Sequence, residues 1–260
     1  MLYANIGNFM PIIDENSLSE QQLRSLETGY SKKVKFDTLR TGSYQEAWDY
    51  QTLLHKQLIE AKKGVLKPDF SKTIHHLLFC EHSPVYTLGK SGDDSHLLMN
   101  HSDREAKQVE YFKINRGGDI TFHGPGQVTG YPILDLECFF TDVHKYVRLL
   151  EEVIISVLEE YGIEGKRIDG FTGVWVEDAR GQRKICAIGV HLSRWVTLHG
   201  FALNVSTDLS YFGGIIPCGI QEGNKTVTSI SKEINGEVSW DEVAEKLKIH
   251  FGGAFGFEYI

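Results

Sequence analysis

The sequence predicts an α+β fold, because its helical patterns are separated by clusters of short strand-like runs instead of alternating with single strands. The chain has 260 residues, of which 41% are hydrophobic and 24% charged, so it is long enough to bury a substantial core. Residues 1–30 are weakly periodic, and we interpret them as an N-terminal extension. We expect residues 31–260 to form one folded domain.

The first predicted elements are a strand over residues 33–39 and a helix over residues 44–62. The helix begins with a capping box, in which Ser43 is the N-cap and Glu46 stands at N3. Gly64 provides a stop. The apolar residues that recur at roughly helical spacing are Trp48, Leu54, Leu58 and Ile59.

Further strands and two helices follow. The predicted strands, separated by turn residues, cover residues 74–80, 85–88, 110–114, 127–136, 173–176, 185–191 and 196–204. The longest helical pattern covers residues 141–161 and ends at Gly162. Another capping box, Ser239 with Glu242, begins a final helix near residue 240. The apolar face of the long helix consists of Val143, Val147, Leu150, Ile154 and Leu158.

Charge and composition exclude several classes of protein. The formal net charge is −8, whereas a protein that coats nucleic acid needs a broad basic face. No apolar stretch is long enough to cross a bilayer, and the N-terminus lacks the pattern of a secretory leader. The four cysteines are too sparse for a disulfide scaffold. We therefore expect a cytoplasmic protein with neither a nucleic-acid partner nor a membrane partner.

A glycine-rich segment, Arg116–Gln127, is the most informative part of the sequence. Its twelve residues include four glycines, a proline, a cation and an imidazole. Glycine lets another molecule approach the backbone and proline fixes φ, so this composition is typical of a loop that binds something. The segment lacks the Gly-x-Gly-x-x-Gly and Gly-Lys-Ser/Thr patterns, and we expect no nucleotide cofactor.

Cys218 is the candidate nucleophile, and the alternative is a structural thiol in a turn. Its neighbours, Gly-Gly-Ile-Ile-Pro before it and Gly after it, leave little side-chain bulk around it. An unperturbed thiol has a pKa of about 8.5, so a nearby cation is needed to favour the thiolate at neutral pH. Lys184 opens a strand-like run that could lie beside Cys218, or it is a solvated lysine at a strand end. The other cysteines have apolar neighbours and are expected to be buried: Cys80, Cys138 and Cys186.

Two histidines adjoin glycine in loop-like settings, His123 and His199, and each could act as a general base or donate to a bound carbonyl. His75, His76 and His82 invite a zinc interpretation, but alternation along a strand would send neighbouring side chains to opposite faces. No Cys-x-x-Cys pair supports such a site. We expect no metal.

Five segments together resemble the octanoyltransferase family, the B-type lipoate-protein transferases. They are Glu81–Pro84, Arg116–Gln127, Lys184–Gly189, His199–Asn204 and Pro217–Gly219. The resemblance covers about residues 40–235 and leaves residues 1–30 outside. One position departs from the family pattern, because residue 122 is Phe where the family often has Tyr. A hydroxyl is lost there, and the ring is kept.

The resemblance implies a fold similar to biotin and lipoate protein ligases, with a mixed main sheet, a smaller sheet and flanking helices. Residues 31–260 would then be an acyltransferase catalytic domain. The reaction would transfer an octanoyl or lipoyl group from acyl carrier protein to a lysine of lipoyl domains, through a cysteine thioester. The acceptors would be the lipoyl domains of 2-oxoacid dehydrogenase complexes and the glycine-cleavage H protein.

The resemblance also implies roles for single residues. Cys218 would carry the acyl group, and Lys184 would lower the pKa of its thiol. Either Lys184 or His123 would accept the proton of the incoming lysine, and the sequence leaves this choice open. The acyl-chain contacts would be Arg116, Gly117, Gly118, Asp119, Ile120, Thr121, Phe122, His123, Ala187, Ile188, Gly189, Gly200, Phe201 and Ala202.

Two other functions stay open from the sequence. One is an ATP-dependent lipoate or biotin ligase on the same fold, which needs no nucleophilic cysteine. The other is a non-catalytic module that binds an acyl chain or a carrier protein, with an inert Cys218. Because carrier proteins are acidic, we also expect a local basic rim near the site, formed by Lys166, Arg167 or Arg183.

Overall fold

The computed structural model describes residues 30–63, 70–217 and 225–260. Residues 1–29 of the predicted extension, the predicted stop at Gly64 and the candidate nucleophile Cys218 lie outside these ranges. The predicted boundary at residue 30 therefore stays a prediction.

The described residues form twelve strands and five α-helices. The strands are β1 (Lys33–Gly42), β2 (Ile74–His82), β3 (Val85–Leu88), β4 (Glu110–Lys113), β5 (Ile120–His123), β6 (Gln127–Ile133), β7 (Lys166–Ile168), β8 (Phe171–Asp178), β9 (Gly181–Ser193), β10 (Val196–Asn204), β11 (Thr226–Val227) and β12 (Glu258–Tyr259). The helices are α1 (Tyr44–Ala61), α2 (His101–Ala106), α3 (Val143–Glu159), α4 (Ile230–Ile234) and α5 (Trp240–Phe255).

Local signals in the sequence set the starts of the two capped helices. The Ser43 side chain accepts a hydrogen bond from the Glu46 N–H at the start of α1, and Ser239 accepts one from the Glu242 N–H at the start of α5. Both capping boxes are therefore confirmed at the N-cap. The long helix α3 begins two residues later than predicted, because Asp142 is its N-cap.

The predicted pair of sheets is confirmed. The main sheet has nine strands in the order β12-β1-β2-β6-β10-β9-β8-β7, with β11 paired to β9. It is mixed, because β1 runs parallel to β2 and β12 while β6, β10, β9 and β8 pair antiparallel. The smaller sheet has the order β4-β3-β5.

Helices cover both faces of the main sheet, as the alternation along β2 shows. Leu77 and Phe79 face the large apolar cluster formed with α3 and α5, whereas Leu78 and Cys80 face the cluster formed with α1. None of the described helices is long and apolar enough to cross a bilayer.

Three of the cysteines belong to the interior, as predicted. Cys80, Cys138 and Cys186 are free thiols and are buried. Burial raises the pKa of all three thiols, that of Cys138 to about 12. They act as small apolar side chains and not as thiolates.

Candidate active site

The glycine-rich segment lies beside the edge of β9 that β8 leaves uncovered. β8 pairs with β9 only as far as Cys186, and β9 continues to Ser193. The Val190 carbonyl in this stretch accepts a hydrogen bond from the Gly117 N–H, at 2.9 Å. A cavity of about 330 Å³ lies between the glycine-rich segment, β9 and β10, and this volume is in the range of small-molecule sites.

The cavity brings together most of the residues that the sequence singled out. Lys184 lines it. So does every predicted substrate-binding residue except Phe122, namely Arg116, Gly117, Gly118, Asp119, Ile120, Thr121, His123, Ala187, Ile188, Gly189, Gly200, Phe201 and Ala202.

The walls of the cavity come very close to each other at the glycines. A Cβ atom on Gly189 would lie 2.8 Å from the Gly117 carbonyl oxygen and 3.0 Å from the Arg116 Cδ, so one of them would have to shift. Ala187 of β9 is paired with Ala202 of β10, which adds two more small side chains to the same wall. These residues line the cavity with backbone and methyl groups, and we call the space that they enclose the slot.

Arg116 braces the glycine-rich segment against the smaller sheet. Its guanidinium donates to the Thr87 carbonyl oxygen at 2.5 Å and to the Thr87 Oγ1 at 3.0 Å, and it also donates to the Gly117 carbonyl at 3.0 Å. The residue is buried, so these contacts are shielded from water. Arg116 thereby fixes the backbone that forms one wall of the slot.

His123 lies in β5 and not in a loop, so that expectation was wrong. Gln127 donates through its Nε2 to the Phe122 carbonyl and to Asn204 Oδ1, which leaves its Oε1 to accept from the His123 Nδ1–H at 2.9 Å. The His123 Nε2 therefore accepts from the Thr87 hydroxyl at 3.2 Å. Burial, with a smaller contribution from His82, holds the pKa of His123 well below its usual range. This imidazole is neutral, and both nitrogens are engaged.

His199 lies in β10, which is the strand predicted over residues 196–204, although its place beside Gly200 had the features of a loop. It has a φ of +60°, in the left-handed region that few residues other than glycine adopt. Its N–H is held by the Gln51 Oε1 at 3.1 Å, and its Nε2 lies 2.7 Å from the Asn115 Oδ1. Burial, followed by the charge of Arg116, lowers the pKa of His199 to about 3. It is a second neutral imidazole in the wall of the cavity.

Phe122 points away from the cavity and packs on the segment that precedes Cys218. Its ring stacks on Tyr211 with centroids 4.7 Å apart and meets Phe212 edge-on at 5.6 Å. The Tyr86 hydroxyl donates to the Tyr211 carbonyl at 2.6 Å. In this structure the ring at position 122 supports a neighbouring backbone segment.

A second set of contacts holds the end of that segment. The Ile216 N–H donates to the His96 carbonyl at 2.8 Å, and the His96 ring pairs with the carboxylate of Asp119, which lines the cavity. Pro217 also lines the cavity. Cys218 follows Pro217 in the sequence and lies outside the described residues.

The predicted basic rim is wrong for both arginines, because each is neutralised by carboxylates. Arg167 is paired with Glu151 and Glu152. Arg183 is buried and forms ion pairs with Asp178 and Glu233. Lys166 lies 3.4 Å from a carboxylate oxygen of Glu164.

Sequence reasoning missed several side chains of the cavity. Tyr44, Thr129, Tyr131 and Asn204 line it, and all four are buried. Burial raises the pKa of both tyrosines, so their hydroxyls stay protonated. The signal for Thr129 and Tyr131 was their alternation with Gln127 along β6, which puts the three on one face. Nothing in the sequence marks Tyr44.

Across the described ranges, no three His, Cys, Asp or Glu side chains are placed to hold a metal ion.

The fold is that of a known class. Residues 43–252 match the lipoyl protein ligase A/B catalytic domain family. A lipoate-protein ligase A bound with ATP superposes with a TM-score of 0.63 over 88% of this chain and 87% of that chain, at 14% identity. A bi-partite lipoate protein ligase from Thermoplasma acidophilum gives a TM-score of 0.62 over 89% and 86%, also at 14% identity. The expected α+β fold of lipoate ligases is confirmed.

Relatives that are similar in sequence identify the family within this class. An octanoyltransferase of Christiangramia forsetii is 51% identical over 231 residues, which is 88% of this chain and 98% of the relative. An octanoyltransferase of Flavobacterium psychrophilum is 52% identical over 228 residues, or 86% and 97% of the two chains. The chain belongs to the octanoyltransferase family.

Proposed function

We propose that the protein transfers an octanoyl or lipoyl group from acyl carrier protein to a lysine of a lipoyl domain, through a thioester on Cys218. The observation that supports this most strongly is the slot itself, because Gly117, Gly189, Lys184 and Pro217 all line this one cavity. Pro217 directly precedes the candidate nucleophile in the sequence. The names of the close relatives agree with this reaction.

The first step exchanges one thioester for another. The Cys218 thiolate attacks the carbonyl carbon of the donor thioester, a C–S bond forms, and the carrier leaves as a thiol once it gains a proton. The step is close to thermoneutral, so the enzyme has only to lower the barrier. The Lys184 ammonium would favour the thiolate at neutral pH.

The second step forms an amide. The neutral amine of the acceptor lysine attacks the acyl carbon, and Cys218 leaves as a thiolate while the proton of the amine goes to a base. This step is downhill, so no ATP is needed. Splitting the reaction in two lets donor and acceptor proteins use the same site in turn.

Once its ammonium has given its proton to the carrier thiol that leaves in the first step, Lys184 is a neutral amine and suits the base better than His123 does. Both ring nitrogens of His123 are already in hydrogen bonds, and burial keeps its pKa far below neutrality. An imidazole in that state has no free site for a proton and little affinity for one. Lys184 lines the cavity with a side chain that is only half-buried.

The test supplies donor and acceptor without ATP. Octanoyl-acyl carrier protein and an unmodified lipoyl domain are incubated with the enzyme, and the acceptor is followed by mass spectrometry. We expect one octanoyl group per lipoyl domain and a complete loss of transfer in Cys218→Ser. The H protein of glycine cleavage serves as a second acceptor. We place the reaction in the cytoplasm, where a free thiol persists.

The same assay separates the two alternatives. Modification that requires ATP and free octanoate, and that survives thiol alkylation, would identify a ligase instead. Tight binding of octanoyl-acyl carrier protein without any transfer would identify a binding module.

A further inference from the structure

The ammonium of Lys184 lies on the face of a buried indole. Its Nζ is 4.6 Å from the centroid of the Trp175 ring, within the range of a cation–π interaction. The two residues are directly opposite each other on β8 and β9. Directly opposed side chains in an antiparallel pair share one face of the sheet, so the contact follows from the pairing of the strands.

A bulge creates that pairing. Val174 is opposite Cys186, so a regular ladder would place Trp175 opposite Ile185, yet Trp175 is opposite Lys184. The neighbouring Gly173 has a φ of +117°, and a Cβ atom there would lie 2.5 Å from the Cys186 carbonyl oxygen. Bulges of this kind re-aim side chains next to active sites. Here the bulge turns the lysine toward the indole.

An indole at position 175 lowers the stability of the fold, because its N–H is buried. Trp175 is 0% exposed, and its Nε1 has no hydrogen-bond partner among the residues that the structure describes. A buried N–H without a partner is destabilising, and phenylalanine would fill much of the space without that cost. Tryptophan is, however, the aromatic residue that binds cations best. Binding of a cation to the ring face therefore explains why position 175 holds tryptophan, whereas hydrogen bonding by the Nε1–H does not.

We propose that Trp175 is a positioning residue, which holds the Lys184 ammonium in place for the activation of Cys218. The proposal rests on the function proposed above. A lysine has a flexible four-carbon stem, so its charge needs a fixed support if it is to act at one point. A buried ring face supplies that support and favours the protonated amine. The Cys218 thiol is thereby kept ionised before the acyl donor binds.

The test changes the ring electronically and leaves its size nearly unchanged. Tryptophans with one, two and three ring fluorines are introduced at position 175 of the full-length protein, because fluorine withdraws electron density from the ring face. The readout is the rate at which iodoacetamide alkylates Cys218 as a function of pH, measured by peptide mass spectrometry. We expect the rate at pH 7 to fall stepwise, by roughly fivefold across the series, while the rate at high pH stays constant.

Two controls separate this effect from a loss of packing. In Lys184→Ala, which has no ammonium, the fluorinated rings should give identical rates. Fluorination of Trp240, which has the Arg40 guanidinium 4.4 Å from its ring centroid, should leave the alkylation of Cys218 unchanged.

The possible failures are distinguishable. If Lys184→Ala slows alkylation at pH 7 and the fluorinated series does not, the role of Trp175 is overturned and that of Lys184 stands. If Lys184→Ala alkylates like the parent, the proposed activation by Lys184 fails, and the inference fails with it. An equal fluorine effect with and without Lys184 also overturns the inference, because the ring would then act by packing.

Discussion

His123 shows why the identity of a residue does not settle its role. Beside glycine in the sequence it has the features of a general base, yet in the structure Thr87 and Gln127 occupy both of its ring nitrogens. Its tautomer is set by the direction of the Gln127 amide, which in turn is held by Asn204. We therefore assign His123 to the wall of the cavity.

A substitution that keeps hydrogen bonding tests this assignment. His123→Asn should lower kcat/KM by disturbing the wall, while the pH at which activity falls on the acid side stays where it is. The reason is that burial holds the pKa of His123 well below its usual range, so protonation of this ring does not set the acid limb. The measurement is a pH profile of octanoyl transfer between pH 5 and 9. Loss of the acid limb in the variant would show that His123 is the base.

At the scale of single elements, the segment before Cys218 depends on the smaller sheet. Tyr86 of β3 donates to the Tyr211 carbonyl, and Phe122 of β5 stacks on the Tyr211 ring. Tyr86→Phe removes only the hydrogen bond, which contributes about 1 kcal/mol. We expect several-fold faster hydrogen exchange at the amides of residues 212–216 and slower acylation, with little change in the melting temperature. Unchanged exchange in this segment would contradict the account.

Glu151 connects helix α3 to the hairpin of β7 and β8. Its carboxylate is 0% exposed, and it accepts from Arg148 at 2.7 Å, from Arg167 at 3.0 Å and from the Gly173 N–H at 3.1 Å. Gly170 in the turn of this hairpin and the first two residues of β8, Phe171 and Thr172, line the cavity. The buried carboxylate thus fixes one part of the cavity from outside it.

Glu151→Gln is expected to lower the free energy of unfolding by about 3 kcal/mol and to raise KM for octanoyl-acyl carrier protein. Glu152→Gln is the matched control, because Glu152 also pairs with Arg167 but is half-exposed, and it should cost well under 1 kcal/mol. Denaturant titration and steady-state kinetics provide the two measurements. Equal effects of the two substitutions would show that burial of the carboxylate is not what matters.

Elements with strong local signals could be predicted, and elements made by pairing could not. The capping boxes at Ser43 and Ser239 marked their helices because a cap depends on neighbours in the chain. Strand β5 was missed because it lies inside the glycine-rich segment, whose composition is typical of a loop. The two-residue strands β11 and β12 exist only through their partners on β9 and β1.

At the scale of the whole molecule, buried neutral histidines make stability depend on pH. Burial is the main cause that lowers the pKa of His75 and His82 to about 4, that of His199 to about 3, and that of His123 well below its usual range. In the unfolded chain each of them has a pKa of about 6.5. Below pH 6.5 the unfolded state therefore binds protons that the folded state does not, and stability decreases as the pH falls toward 4.

We expect the free energy of unfolding to drop between pH 6.5 and 4 by up to about 1.4 kcal/mol per pH unit for each such histidine. Urea titrations over this range measure the slope. His75→Gln should reduce the slope of unfolding free energy against pH by the contribution of one bound proton. His144→Gln, at an exposed position of α3, should leave this slope unchanged. A stability that is constant from pH 6.5 to 4.5 would contradict the neutral state of these residues.

The family and the polar residues of the slot were within reach of the sequence, whereas the spatial relations between them were not. Each of the blocks around Arg116, Lys184 and His199 is a continuous run of residues, so it can be recognised from the sequence alone. The contact between Trp175 and Lys184 depends on a bulge, and the neutralisation of Arg183 depends on Glu233, which is fifty residues away. Such pairings are decided by the register of strands and the packing of helices.

The most direct test of the account is the mass of the protein itself after exposure to octanoyl-acyl carrier protein without an acceptor. We predict the addition of one octanoyl group, located on Cys218 by peptide mapping, absent in Cys218→Ser and discharged when a lipoyl domain is added. A protein that stays unmodified with a competent donor, or that modifies the lipoyl domain at full rate as Cys218→Ser, would contradict it.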